Sequence, residues 1–436
     1  MSSTPVKTVD RVPSRAIFPV VAVVMNLCLG TLYAFSVFRN KLRVHYLYGT
    51  AEQIKDKTFK AGINEVGWAF TIAIVFFAVG LIIAGRWQDK VGPKKPAMVG
   101  GLLLGAGLLL AWITGLPEGQ IAWLYIFYGV LGGLGIGFAY VTPLATCLKW
   151  FPDKRGAITG LAVFGFGGGS TLFSPVGQWL LGKVDVTTTL GILGLIFLVL
   201  VVGSGTILRN PPAGYVPKGW TPPAPAAGAV AKAEYKTAEM MRAPQFYFLW
   251  LAFLVGAAVG LMVISQASPM GTDKAGLSAS DAAWAVGILG IFNAIGRIFH
   301  GWLSDRIGRK ATVAIMFVEF IIALEIILRP ESMGFVQYVA GISLIGLSFG
   351  AFLAIMPAFT ADFFGTKNVG LNYAALFTAY GVAGIFGPKL ADYVKAHSDT
   401  GDITGAFIIL AVASVVGIVF TLLTNAPKAK ALEKTG

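Results

Sequence analysis

Charge is scarce in this 436-residue chain. Only 13% of residues are Asp, Glu, Lys or Arg, 56% are hydrophobic, and the mean hydropathy is +0.74. Soluble domains run near a quarter charged, so a water-soluble globular class is excluded and a polytopic membrane protein is expected. Cysteine is nearly absent. Cys28 and Cys147 both lie inside apolar runs, which excludes a disulfide scaffold or a thiolate metal cluster, and no metal or other cofactor is expected. No Ser–His or Cys–His pairing and no metal-ligand spacing can be found, so an enzyme is not expected. Gly165-Phe-Gly-Gly-Gly169 is no phosphate loop, because no strand precedes it and no Lys-Ser/Thr follows. Acidic residues are outnumbered, 21 against 34 basic, for a formal charge of +13. That excess could suggest nucleic acid, but its placement argues for an orientation signal instead.

What the chain does contain is a series of apolar runs. Helices are expected at about 16–38, 66–86, 96–114, 121–148, 157–182 and 189–208, and then at about 246–270, 282–304, 311–328, 335–360, 370–390 and 405–424. The Pro- and Ala-rich segment between the two sets has no apolar stretch long enough to span. The fold class is therefore an all-α membrane protein of twelve transmembrane helices. A first bundle covers 1–208, a cytoplasmic linker 209–245 and a second bundle 246–436. With that topology 22 Lys/Arg fall on the side of the termini, 11 on the other side and 1 in the membrane. The asymmetry places both termini in the cytoplasm of a cell inner (plasma) membrane, with the lipid bilayer and not nucleic acid as the large partner. No cleavage site follows the first apolar run, which reads as a retained helix. The loop 39–65 fits the charge rule poorly: Arg39, Lys41, Arg43, Lys55, Lys57 and Lys60 form either a cationic outer vestibule or an ordinary solvated loop.

One residue breaks the apolar pattern of the eighth run. In Gly287-Ile-Leu-Gly-Ile-Phe-Asn293-Ala-Ile-Gly-Arg297-Ile-Phe-His300-Gly-Trp302, Arg297 stands about 12 Å before Asp305, the first charge beyond the helix, and so near the middle of a ~30 Å core. A guanidinium there costs at least ~2.5 kcal/mol and needs a partner, a polar cavity or a ligand. No acid stands three or four residues away on its own helix. Arg297 is thus either the fork that grips an anionic ligand or one half of a buried pair with Glu319 or Glu325 of the ninth helix. Asn293 shares its face and can donate to a carboxylate, or serve only packing. His300, also on that face, is either a proton handler or a satisfied membrane histidine.

An internal repeat marks two related halves. Gly85-Arg-Trp-Gln-Asp89-Lys90-Val-Gly92-Pro-Lys94 and Gly301-Trp-Leu-Ser-Asp305-Arg306-Ile-Gly308-Arg309-Lys310 follow one pattern 216 positions apart, while Pro143, Trp150 and Gly156 reappear 214 positions on as Pro357, Phe364 and Gly370. Duplicated halves around a pore put the binding site at their interface, near the midplane. Asp89 and Asp305 can cap a neighbouring helix N-terminus, and Arg306 and Arg309 can pair across the cytoplasmic face, so these are expected to be gate parts.

The twice-used loop, with the twelve-span count, resembles the signature loop of the major facilitator superfamily. Asn26-Leu-Cys-Leu-Gly-Thr-Leu-Tyr33-Ala-Phe-Ser-Val-Phe, Lys149-Trp-Phe-Pro-Asp-Lys-Arg-Gly156 and Asn210-Pro-Pro-Ala-Gly-Tyr-Val-Pro-Lys-Gly-Trp220 resemble the oxalate–formate antiporter family, itself related to monocarboxylate transporters of lactate and pyruvate. The resemblance implies transport of a small carboxylate anion, with Arg297 as its ligand. In monocarboxylate transporters an Asp stands four residues before this Arg. Here that position is Asn293, which removes a titratable group and puts the usual proton pathway in doubt. Dicarboxylate exchangers carry a midplane lysine on helix 11 where this chain has Tyr380. Lys389, nine residues on, reads as an outer gate or a snorkelling residue.

One buried cation matches one negative charge. The expected function is therefore secondary active transport of a small monocarboxylate, L-lactate or pyruvate, with a proton, by alternating access. Asn293, Tyr380 and Tyr33 shape the pocket, Tyr128 either lines it or packs, and Arg297 and His300 handle coupling. The protein is expected to work as a monomer. The alternatives are an oxalate–formate type anion exchanger and a non-transporting sensor, which the short tail after the last helix disfavours.

Overall fold

The computed structural model describes residues 14–46, 62–115, 120–151, 153, 155–212, 215–217, 234–328, 334–365, 368–399 and 401–427. Among them are twelve long helices. The first six are α1 (Ile17–His45), α2 (Ile63–Val91), α3 (Lys94–Gly115), α4 (residues 121–150), α5 (Arg155–Leu181) and α6 (Val186–Ile207). The second six are α7 (Pro244–Ala275), α8 (Ala279–Ile307), α9 (Arg309–Leu328), α10 (Phe335–Phe364), α11 (Val369–His397) and α12 (Thr404–Leu423). Eleven of them are long and apolar enough to cross a membrane by length and composition; α5, 27 residues long, is the twelfth and packs between α1 and α8. The expected twelve-helix membrane fold is the one observed.

Two helices leave ideal α geometry near the middle. α1 passes through a 3₁₀ stretch at Gly30–Ala34, and α4 through a π stretch at Tyr125–Gly132. Such departures often mark functional hinges. The first helix also runs seven residues beyond its expected end. Arg39, Lys41 and Arg43 are therefore helical, and Arg39 and Arg43 are buried, so neither a solvated loop nor an open vestibule describes them. The amphipathic face that buries Phe35, Phe38 and Leu42 carries the two arginines inward with it. Lys55, Lys57 and Lys60 lie outside the described residues.

The repeat is visible in the backbone. Gly92 closes α2 and Gly308 closes α8, at φ 81° and 90°, a region that residues with a Cβ rarely adopt. Trp150 and Phe364, the second pair of equivalent positions, each clasp a tyrosine of the segment joining the two sets of helices. The Trp150 indole donates to the Arg209 carbonyl at 2.7 Å and packs on Tyr215; the Tyr235 amide donates to the Phe364 carbonyl at 2.9 Å and its ring packs on Phe364. The first and second six meet along three seams, α1 with α7, α2 with α11 and α5 with α8. α1 begins and α12 ends at one face, the terminal face, and the other end of the bundle is the opposite face.

Candidate functional site

The centre of the bundle holds the buried cation. Arg297 is 1% exposed, so in this conformation its charge has no contact with bulk water. Its Nε and Nη2 donate to Asn293 Oδ1 at 3.4 and 3.1 Å, while its Nη1 has no hydrogen-bond partner. Among the described residues no carboxylate pairs with it. Asn293 is itself fixed, because its Nδ2 donates to the Gly346 carbonyl of α10 at 3.2 Å. That bond sets the amide so that its oxygen, not its nitrogen, faces the guanidinium. Gly167 of α5 permits the fit: a Cβ there would stand 2.8 Å from Asn293 Oδ1 and 2.9 Å from the Ala294 nitrogen.

Around the guanidinium stands a ring of aromatic side chains from both sets of helices. Phe166 of α5 lies under it, with Cζ 5.8 Å from the ring centre. The hydroxyls of Tyr33 on α1 and Tyr380 on α11 meet at 3.0 Å, and both residues are fully buried. Tyr33 abuts Phe166 edge-on at 5.1 Å, and Tyr380 stacks between Phe377 at 4.9 Å and Phe349 at 6.2 Å. Tyr140 of α4 closes the ring against Phe166 and Phe77, and its hydroxyl and that of Tyr33 are near enough to Arg297 to interact with it. Apolar walls with a few convergent polar groups suit a small ligand carrying one charged end. Tyr140 and Phe166 were not singled out from the sequence. The available signal was a further hydroxyl-bearing ring on the glycine-rich helix that supplied Tyr128, twelve residues after it.

The other sequence candidates divide. Tyr128 is buried against Phe35, 5.4 Å away, and is not part of the ring around Arg297. His300 turns from that ring toward α9, where its Nε2 lies 3.0 and 3.2 Å from the two oxygens of Glu319. Glu319, one of the two glutamates considered as partners for Arg297, is thus taken by His300. At the terminal face Asp305 is 68% exposed and pairs with Arg309 at 2.7 Å rather than capping a neighbouring helix. Arg309 also reaches Asp362 of α10 at 3.2 Å and the Ser304 hydroxyl, all within the second six helices. Arg306 lies over the ring of Trp302 on its own helix, 4.3 Å from its centre, a contact made one turn back along the same helix. The side chain of Asp89 lies outside the described residues.

Nearer the opposite face a second polar cluster crosses the seams. Asp392 of α11 is fully buried and accepts from Arg39 of α1, from Gln266 Nε2 of α7 at 2.8 Å and from Lys389 Nζ at 3.3 Å. Arg39 donates in addition to the carbonyls of Ser265 at 3.2 Å and Ile63 at 3.0 Å, and Lys389 to that of Asn64 at 2.8 Å. Lys389 rests over the Trp68 ring, 4.4 Å from its centre. One carboxylate and two cations thereby join α1, α2, α7 and α11. Sequence reasoning reached Lys389 but not Asp392, although an acid three residues after a lysine in the same run was a usable signal.

Residues 29–324 and 260–436 match the model of the Major Facilitator Superfamily. An uncharacterized transporter of that type from Escherichia coli, YhjX, is 29% identical over 83% of this chain and 84% of its own length. The oxalate:formate antiporter of Oxalobacter formigenes is also 29% identical, over 92% of this chain and 89% of its own. Monocarboxylate transporter 13 of Rattus norvegicus is 24% identical over 88% of this chain and 82% of its own. Among solved structures, the xylose transporter XylE of E. coli, in a partially occluded inward open conformation, superposes with a TM-score of 0.67. It covers 94% of this chain and 99% of that one at 13% identity, a likeness of fold.

Proposed function

Because the chain belongs to the Major Facilitator Superfamily, and is therefore a membrane transporter rather than an enzyme, we propose that it carries a small monocarboxylate, L-lactate or pyruvate, together with a proton by alternating access. The observation that carries the reading is the Nη1 of Arg297, buried, without a partner, and ringed by Tyr33, Tyr140 and Tyr380. A carboxylate can accept from the free edge of the guanidinium in the two-pronged manner that arginine favours. The aromatic ring then covers the short apolar remainder of the acid. One fixed positive charge balances one negative charge, which favours a monoanion. Neutralising the buried charge in this way lowers the penalty of closing the site.

The positive-inside asymmetry turns the terminal face toward the cytoplasm of a cell inner membrane, with the protein working as a monomer. In that orientation the Arg39–Asp392–Lys389 cluster serves as the outer gate, and Asp305, Arg306 and Arg309 serve the inner gate from within the second half alone. The two six-helix sets act as the rocking units, joined by the segment 209–245.

The test is uptake of labelled L-lactate into proteoliposomes, with and without an acid-outside pH gradient. Breaking a buried, hydrogen-bonded charge pair costs about 2–5 kcal/mol, so Arg297→Gln is expected to weaken lactate binding by ~30-fold or more. Unchanged flux in that variant would remove the reading. The oxalate:formate antiporter of O. formigenes, similar over most of the chain, supports a second reading as an anion exchanger. Oxalate flux that is stimulated from the far side and indifferent to the pH gradient would establish it.

A further inference from the structure

We propose that His300 and Glu319 together hold the coupled proton, an inference that rests on the proton-linked carboxylate reading above. The pair lies beside the ligand ring rather than in it. His300 is fully buried, three residues after Arg297 on α8, and Glu319 comes from α9. The Ser348 hydroxyl of α10 donates to the same carboxylate. Residues three apart on a helix are neighbours, so His300 stands about 5–6 Å from Arg297 between Cβ atoms.

The hydrogen-bond geometry requires a proton between the two groups. Nδ1 of His300 lies 3.3 Å from the Gly296 carbonyl oxygen, which can only accept, and the tautomer that makes this bond carries its hydrogen on Nδ1. A neutral imidazole then has a lone pair on Nε2. Nε2 faces the Glu319 oxygens at 3.0 and 3.2 Å, and a lone pair against a carboxylate would repel. The contact is favourable when one further hydrogen sits on Nε2 or on the carboxyl. In that tautomer the pair holds one proton that it can give up.

Charge balance links that proton to the ligand. With the proton present the pair is neutral overall and Arg297 keeps one positive charge, which a bound carboxylate cancels. With the proton gone, the Glu319 charge offsets Arg297 from the far side of His300, and an incoming carboxylate would leave a net negative charge in the core. Buried net charge is strongly disfavoured, so the closed carrier holds both proton and carboxylate or neither. Asn293 cannot titrate, so the titratable site lies behind α8 instead.

The surroundings agree. α9 contributes Glu319, with Glu325 six residues further along; α10 contributes Ser348; α1 contributes Tyr33; and α8 itself contributes Arg297. The remaining charged residues of α5, α7 and α10, which are Arg155, Asp273, Lys274 and Asp362, stand in the first or last turns of their helices.

Calorimetry of purified wild-type protein with L-lactate, in buffers of different ionisation enthalpy, counts protons taken up per lactate bound. Wild type is expected to take up one proton over the range in which the pair empties, with affinity falling close to tenfold per pH unit there. Glu319→Gln should bind lactate with no net proton uptake and a flat pH dependence, and Glu319→Asp should restore both. A Gln variant that still takes up a proton, or a wild type that binds lactate without one, would overturn the assignment while leaving the carboxylate site standing. A wild type that binds no monocarboxylate would overturn the transport reading and this inference with it. Should Glu319→Gln fail to fold, nitrogen-15 histidine spectra of wild type answer the same question. Lactate added at alkaline pH must shift one of the three imidazoles, and no shift counts against the pair.

Discussion

Arg39 and Asp392, 353 residues apart in the chain, form an ion pair in which both side chains are all but closed to water. The pair is well supported. Asp392 takes donors from three helices, and Arg39 also donates to two backbone carbonyls. Buried pairs add little net stability over apolar packing, but breaking one partner strands a charge at a cost of about 3–5 kcal/mol. The pair therefore selects a conformation more than it strengthens the fold.

Removing the carboxylate should release that selection. Asp392→Asn is expected to lower the thermal midpoint in detergent and to expose the opposite face to water-soluble labels, whereas Arg39→Met combined with Asp392→Leu should regain most of the lost midpoint. Gly67→Ala should imitate the single change, since a Cβ there would stand 2.0 Å from Asp392 Oδ2. A melting curve of Asp392→Asn that overlays wild type would show that the pair holds nothing shut.

Adding a second cation should alter which acid is preferred. Tyr380→Lys places an ammonium in the ring around Arg297, leaving two positive charges against one carboxylate. Lactate affinity is expected to fall and oxalate affinity to rise, each by tenfold or more, read by ligand-induced shifts in melting temperature. An unaltered order of the two acids would count against charge matching as the basis of choice.

Two of the tyrosines of α4, Tyr128 and Tyr140, separate a ligand role from a packing role. Tyr140→Phe should weaken lactate binding by about 2–12-fold, the loss of one hydrogen bond worth ~0.5–1.5 kcal/mol. Tyr128→Phe, away from the ring and against Phe35, should stay within twofold. Equal effects in the two variants would contradict the geometry.

Outside the membrane, Asp185 caps α6. Partial burial alone would raise its carboxyl, but bonds from the Thr187 and Thr188 hydroxyls and amides hold it at about 2. A carboxyl depressed on folding contributes stability that is complete above its unfolded range and is lost as pH falls through about 2. Asp185→Ala should cost about 1 kcal/mol at neutral pH, seen as a lower melting temperature, with the gap to wild type closing in strong acid. A gap that persists below pH 2 would assign the effect to packing instead.

Helix number, the repeated loops and the midplane arginine were legible from one sequence because each leaves a local mark: an apolar run, a spaced pattern, a charge out of place. The end of α1 was not, since Arg39 and Arg43 look like loop residues until Asp392 supplies a partner from the other end of the chain. His300 was noticed for its helical face, yet only the packing of α9 shows that it points at Glu319 rather than into the ring. Tyr128 and Tyr140 are alike in type and differ in orientation, which depends on the π stretch and on Phe166. What escaped was in each case a contact between residues far apart in sequence.

The hydroxyl-to-hydroxyl bond between Tyr33 and Tyr380 spans the seam at the depth where cargo would lie. Cargo has to part these two groups to enter, and they rejoin once it has left. An idle carrier built this way seals itself, so inorganic ions find no continuous wet passage. Membrane patches containing it should then stay electrically silent, and remain so when a suitable acid is added, because carboxylate and proton cross together without net charge.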